Sequence, residues 1–144
     1  MQYIRLECGR PIIQPHDILI YTMTKIAIIE DDSVINQMYR MKFEADGFEV
    51  QVADNGKSGV EMVESYAPDL ILLDLQMPEM TGDEALKKIR AQPWGAHIPV
   101  IVLTNLGIEE SPAILKELRI HSYIVKAELT PSQVVARVKE ALGI

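Results

Sequence analysis

Several things are scarce in this chain, and each scarcity excludes something. A single cysteine, Cys8, means that no intrachain disulfide can form, and such usage fits a reducing cytosol. No apolar run approaches the ~20 residues that span a bilayer, so membrane insertion is not expected. Basic residues are in deficit, with 14 Lys and Arg against 21 Asp and Glu and a net charge of −7. That balance argues against direct nucleic-acid binding, which needs a clustered basic surface. Repeats, linkers and low-complexity tracts are also missing, and 144 residues with 48% hydrophobic content suit one domain with one full core.

The first 23 residues differ from the rest of the chain. Pro11 and Pro15 break any regular pattern, and Gly9 adds a turn signal. The expectation is a loosely held extension or a non-native start, with Met23 as the natural beginning; the competing reading makes Ile18–Tyr21 an extra edge strand. A globular pattern runs over 24–144.

From Lys25 onward, strand and helix patterns alternate at steady spacing, the layout of an α/β sheet with helices on both faces. Continuous apolar runs at about 25–29, 70–73 and 98–103 read as strands covered on both sides. The alternating stretch 48–52 and the short run 122–125 read as edges. Five helical stretches are expected between and after them. The first carries Val34, Ile35, Met38, Met41 and Ala45; the fourth carries Ile114, Leu115 and Leu118. Thr81 with Glu84, and Thr130 with Pro131 and Gln133, mark two helix starts. Asp46-Gly47 marks the end of the first helix.

Chemistry-bearing residues fall just past the apolar runs. Glu30, Asp31 and Asp32 come after the first, Asp74 after the third, Thr104 after the fourth and Lys126 after the fifth. In a parallel sheet all these endings lie on one carboxyl edge, where open α/β sheets bind ligands. A carboxylate can attack phosphorus to form an acyl phosphate. Neighbouring carboxylates repel one another unless a cation joins them, and hard oxygen donors favour Mg²⁺ or Mn²⁺. Asp32 is read as a helix-start residue only. A flavin reading fails because the first turn is acidic where a phosphate cradle would need glycine or hydroxyl residues.

The motifs Ile-Ile-Glu-Asp-Asp, Leu-Leu-Asp-Leu-Gln-Met-Pro-Glu-Met-Thr-Gly, Val-Leu-Thr-Asn and Tyr-Ile-Val-Lys, in this order, resemble the receiver domain of two-component response regulators. The resemblance implies a flavodoxin-like, three-layer, doubly wound sheet of five parallel strands in the order 2-1-3-4-5, in a stand-alone arrangement without an effector. It implies Asp74 as phosphoacceptor. It implies metal binding by Asp31, Asp74 and the backbone carbonyl of Gln76, with Glu30 acting through water. Lys126 and Thr104 would contact the phosphoryl group, and Thr104 and Tyr123 would form the switch. The implied partners are a sensor histidine kinase or histidine phosphotransfer protein and a downstream protein. Such a protein catalyses only its own phosphorylation and dephosphorylation. The alternative is an interaction module that works without phosphorylation. An aspartyl phosphatase is disfavoured, because Gln76 stands where a second acid is expected.

Some residues depart from the family pattern. Ala127 replaces a usual proline, making a cis peptide there doubtful. Asn105 comes after Thr104 where a very small residue is usual. Arg119 stands where a glycine often closes the fourth helix, so a looser end is expected. His97 and His121 have no ligand spacing and read as incidental, and Trp94 reads as a packing lid.

Overall fold

The computed structural model describes residues 23–144 and, before them, the backbone of a two-strand antiparallel ribbon, Leu6–Glu7 with Arg10–Pro11. The readings of an N-terminal extension and of a strand at Ile18–Tyr21 lie outside the described residues.

Five parallel strands form the centre: β1 (Lys25–Ile29), β2 (Glu49–Ala53), β3 (Leu70–Leu73), β4 (Val100–Thr104) and β5 (Ser122–Val125). Their spatial order is β2-β1-β3-β4-β5, the expected 2-1-3-4-5. Four α-helices are present among the described residues: α1 (Ser33–Ala45), α2 (Gly56–Tyr66), α3 (Gly82–Arg90) and α4 (Pro131–Leu142). None is long and apolar enough to cross a membrane.

Strand alternation divides the core in two. Ile26, Ile28, Leu70, Leu72, Ile101 and Leu103 face α1 and α4, meeting Tyr39, Phe43 and Val134. Ala27, Ile29, Ile71, Leu73, Val100 and Val102 face the opposite layer, meeting Val63, Leu86 and Ile89. Phe43 is fully buried and meets Phe48 edge to face, with ring centres 5.5 Å apart. Burying such a ring is worth roughly 1.5–3 kcal/mol.

The first helix forms as expected, and its exposed apolar residues show which face it buries. In α1, Val34, Met38 and Met41 are 78%, 42% and 69% exposed, while Tyr39 and Phe43 are buried. The helix carries apolar residues on two faces, and both fit a 3.6-residue repeat. Asp32 caps the start of this helix. Its Oδ1 accepts from the amides of Val34 and Ile35 at 2.9 and 3.1 Å.

The expected fourth helix is replaced by two short 3₁₀ turns, Ile108–Glu110 and Ala113–Lys116. Pro112 precedes the second turn, and Arg119 stops it by adopting a left-handed backbone at φ 56°. Only residues 113–118 lie between the two, too few for a stable α-helix. The looser end expected at Arg119 is not seen: the arginine itself makes the tight turn. Leu115 and Leu118 still reach the core. No cis peptide bond occurs among the described residues, Lys126–Ala127 included.

Candidate functional site

Strand register assembles the cleft. Ile29 pairs with Leu73, so Glu30 and Asp74, the next residues on β1 and β3, leave the sheet side by side. Thr104 pairs with Val125, which brings Lys126 to the same rim. Glu30, Asp74 and Thr104 are buried at 4%, 5% and 0% exposure, whereas Asp31 is exposed. Carboxylate oxygens from Glu30, Asp31 and Asp74 all lie within 4.8 Å of one another.

Lys126 is the cation of the cleft. Its Nζ donates to Glu30 Oε2 at 2.6 Å and reaches Asp74 Oδ2 at 3.4 Å. Glu30 therefore holds the ammonium more closely than Asp74 does. Burial pushes the Glu30 carboxyl up to about 7; the Asp74 charge adds to the rise and Lys126 opposes it. Burial works against the Lys126 charge, yet the bond to Glu30 and the two negative charges outweigh it and raise its pKa. Three carboxylates against one ammonium leave an excess of negative charge. Hard oxygen donors of that kind fit a divalent cation.

Backbone groups hold Asp74 in place. Its own N–H donates to the Ile29 carbonyl at 3.0 Å, and the Gln76 N–H donates to its Oδ1 at 3.2 Å. The Gln76 residue is exposed to solvent. Thr104 Oγ1 accepts from the Leu106 N–H at 3.3 Å, leaving the hydroxyl proton uncommitted to that contact. The Tyr123 hydroxyl donates to the Leu106 carbonyl at 2.7 Å, so Thr104 and Tyr123 converge on one residue. Burial raises the Tyr123 pKa, and the Asp74 and Glu110 charges add to it.

Three contributors carry no clear site signal in the sequence. Gly82 has the look of turn chemistry only. A Cβ there would lie 2.0 Å from the Asp74 carbonyl oxygen, so the position has no room for a side chain. Asn36 is buried and donates from Nδ2 to the Glu30 carbonyl at 3.1 Å. The signal that could have found it is a polar residue on an otherwise apolar helix face. Tyr39 is buried where the Lys126 and Glu30 charges act on it; nothing in the sequence marks it.

Known proteins share this architecture. The family model "Response regulator receiver domain" matches residues 26–139. The phosphate regulon transcriptional regulatory protein PhoB of Rhizobium meliloti is 32% identical over 120 residues, covering 83% of this chain and 52% of PhoB. A probable transcriptional regulatory protein of Picosynechococcus is likewise matched over 50% of its length. The chain thus spans about half of these two relatives. The polar-differentiation response regulator DivK of Brucella anthropi is 30% identical, over 82% of this chain and 95% of DivK. Chemotaxis protein CheY4 of Vibrio cholerae superposes with a TM-score of 0.77 at 26% identity, over 83% of this chain and 98% of CheY4. The receiver domain of a sensor histidine kinase from Pseudomonas aeruginosa PAO1, which has a magnesium ion in its active-site cleft, shares the fold at TM-score 0.76 and 23% identity, over 85% of this chain and 100% of that domain.

Proposed function

Because the chain belongs to the response regulator receiver family of two-component systems, we propose that it is a phosphorylation switch. Asp74 takes a phosphoryl group from a phosphohistidine on a sensor histidine kinase or phosphotransfer protein. The modification then alters a surface that binds a downstream partner. The protein acts only on itself and turns over no external substrate. One observation carries this reading: a buried aspartate at the mouth of the central strand, with two further carboxylates and one ammonium against it.

In the transfer, an Asp74 oxygen attacks phosphorus as the P–N bond of the phosphohistidine breaks. The bonding electron pair returns to the donor imidazole, which then takes up a proton. Such transfers depend on alignment and charge neutralisation more than on acid–base groups. Asp31, Asp74 and the backbone carbonyl of Gln76 would hold Mg²⁺ or Mn²⁺, with Glu30 reaching it through water. The bound ion supplies charge neutralisation and orientation for the phosphoryl oxygens. Lys126 moves its contact from Glu30 to the new phosphoryl group as a compact point charge. Thr104 donates its hydroxyl to the same group. Leu106, bonded to both Thr104 and Tyr123, passes that movement to the tyrosine as a local two-state change.

A small phosphodonor such as acetyl phosphate, with Mg²⁺, should add one phosphoryl mass to the intact protein, and Asp74→Asn should abolish the addition. Labelling that persists in Asp74→Asn overturns the assignment. A protein that takes no phosphate yet retains its partner returns the reading to a phosphorylation-independent interaction module.

A further inference from the structure

At the opposite end of the sheet from Asp74, three chain segments bring four nitrogen-rich side chains to one cavity. Arg90 comes from the end of α3, His97 from the loop before β4, and Arg119 and His121 from the turn before β5. The cavity measures about 270 Å³, and Ala96, Ile98 and Pro99 complete its wall. Among the described residues, no acidic side chain lines it.

Arg90 forms the fixed floor. Its Nε donates to the Leu118 carbonyl at 2.8 Å, Nη1 to those of Gly95 and Ile98 at 2.9 and 2.8 Å, and Nη2 to that of Arg119 at 3.3 Å. Arg119 Nη2 donates to the Ala96 carbonyl at 3.2 Å, with its remaining donors uncommitted among the described residues. Neither guanidinium takes part in an ion pair among the described residues, whose pairs involve Arg40, Lys126 and Lys139. Burial holds Arg90 below its ordinary pKa, and the nearby Arg119 charge adds to the effect. Arg119 also sits at φ 56°, where a non-glycine residue is strained. Two like charges are thus held together at some cost, without a counter-ion among the described residues, in a chain whose net charge is −7.

We propose that this cavity, bounded by Arg90, His97, Arg119 and His121, is an anion site that takes the phosphate group of a small soluble phosphorylated molecule. Arg90 supplies a fixed charge whose donors go mainly to backbone carbonyls, and the exposed Arg119, held by one bond, offers the planar fork that matches the spacing of phosphate oxygens. The imidazoles of His97 and His121 add ring N–H donors at the rim. The volume lies below the ~300–1,000 Å³ of pockets that enclose drug-sized ligands, so it admits a headgroup. A cation is excluded by the charge of the walls. The net negative charge of the protein disfavours an anionic membrane surface as the source. An occupant would link the loop before β4 to the turn before β5, in the region where 3₁₀ turns replace the expected fourth helix.

The test uses the full chain without added divalent metal, and pyrophosphate as the probe. Trp94, the only tryptophan, lies in the 3₁₀ turn beside Ala96 and reports by fluorescence, while backbone amide shifts locate the site. Saturable changes confined to residues 94–99 and 118–122 are expected. Arg119→Gly removes the guanidinium yet suits the left-handed backbone, so its thermal midpoint should hold or rise while affinity falls roughly tenfold. The paired variant H97Q/H121Q, which leaves that backbone untouched, should also bind more weakly. The proposal is overturned by undiminished affinity in Arg119→Gly, by shifts that sodium chloride at equal ionic strength reproduces, or by shifts confined to the Asp74 cleft.

Discussion

Gly82 shows how much one hydrogen atom decides at the site. Its amide donates to the Leu75 carbonyl at 3.0 Å, and its Cα lies against the Asp74 carbonyl. The backbone is not left-handed there, so the requirement for glycine is one of space and not of φ. Gly82→Ala places a methyl 2.0 Å from an oxygen that belongs to the phosphoacceptor's own peptide. Neither partner is the far end of a flexible side chain, so backbone must move. A loss of about 3 kcal/mol in unfolding free energy is expected. Small-donor phosphorylation should slow as well, because Asp74 is displaced. Urea melts and phosphorylation kinetics on the variant check both effects; an unchanged urea midpoint would mean that the turn has slack the structure does not show.

At the scale of elements, legibility depends on whether a pattern has one physical solution. The strand 70–73 is readable directly, because four consecutive apolar residues bounded by acids fit a strand covered on both faces and little else. Glu30, Asp31, Asp74 and Lys126 are equally legible, since parallel strands carry every such ending to one edge. The α1 stripe misleads because Val34, Met38 and Met41 share helical spacing with the face that is buried. The fourth helix misleads because Ile114, Leu115 and Leu118 satisfy a short 3₁₀ segment as well as an α-helix. His97 and His121 cannot be related from sequence at all, as their meeting depends on two turns at the far ends of β4 and β5. The exposed stripe has its own consequence. It begins at Val34, two residues beyond Asp32, and offers an apolar surface that the phosphohistidine donor proposed above would contact. The double variant M38D/M41D should therefore slow phosphotransfer from a cognate protein donor by roughly tenfold, from loss of two apolar contacts. Phosphorylation by acetyl phosphate should be unchanged, as neither methionine belongs to the cleft. An equal loss with both donors would assign the stripe to stability instead of docking.

For the molecule as a whole, the cleft links folding to pH and to metal. In the metal-free protein the Glu30 carboxyl is raised from 4.5 to about 7. Between those values the folded chain binds more protons than the unfolded chain. Stability from this group is therefore fully present below about pH 4.5 and is lost as pH rises through about 7. Asp46 behaves oppositely: Lys139 lowers its pKa, so its stabilisation is lost only as pH falls below the ordinary carboxylate range. Lys126 is raised above its ordinary value and keeps its charge throughout the window. The unfolding free energy without metal should thus fall by on the order of 1–2 kcal/mol between about pH 5 and about pH 8. Glu30→Gln should flatten that slope, because the amide does not titrate and still accepts from Lys126. Added Mg²⁺ should restore stability at the alkaline end by mass action on the folded state, where the carboxylates are ionised and ready to ligate. Urea midpoints across the pH range, with and without Mg²⁺, measure all three effects. A metal-free midpoint that rises with pH would show that the fold does not hold the Glu30 carboxyl buried beside Asp74, and the case for a cation site that includes it would fall with that.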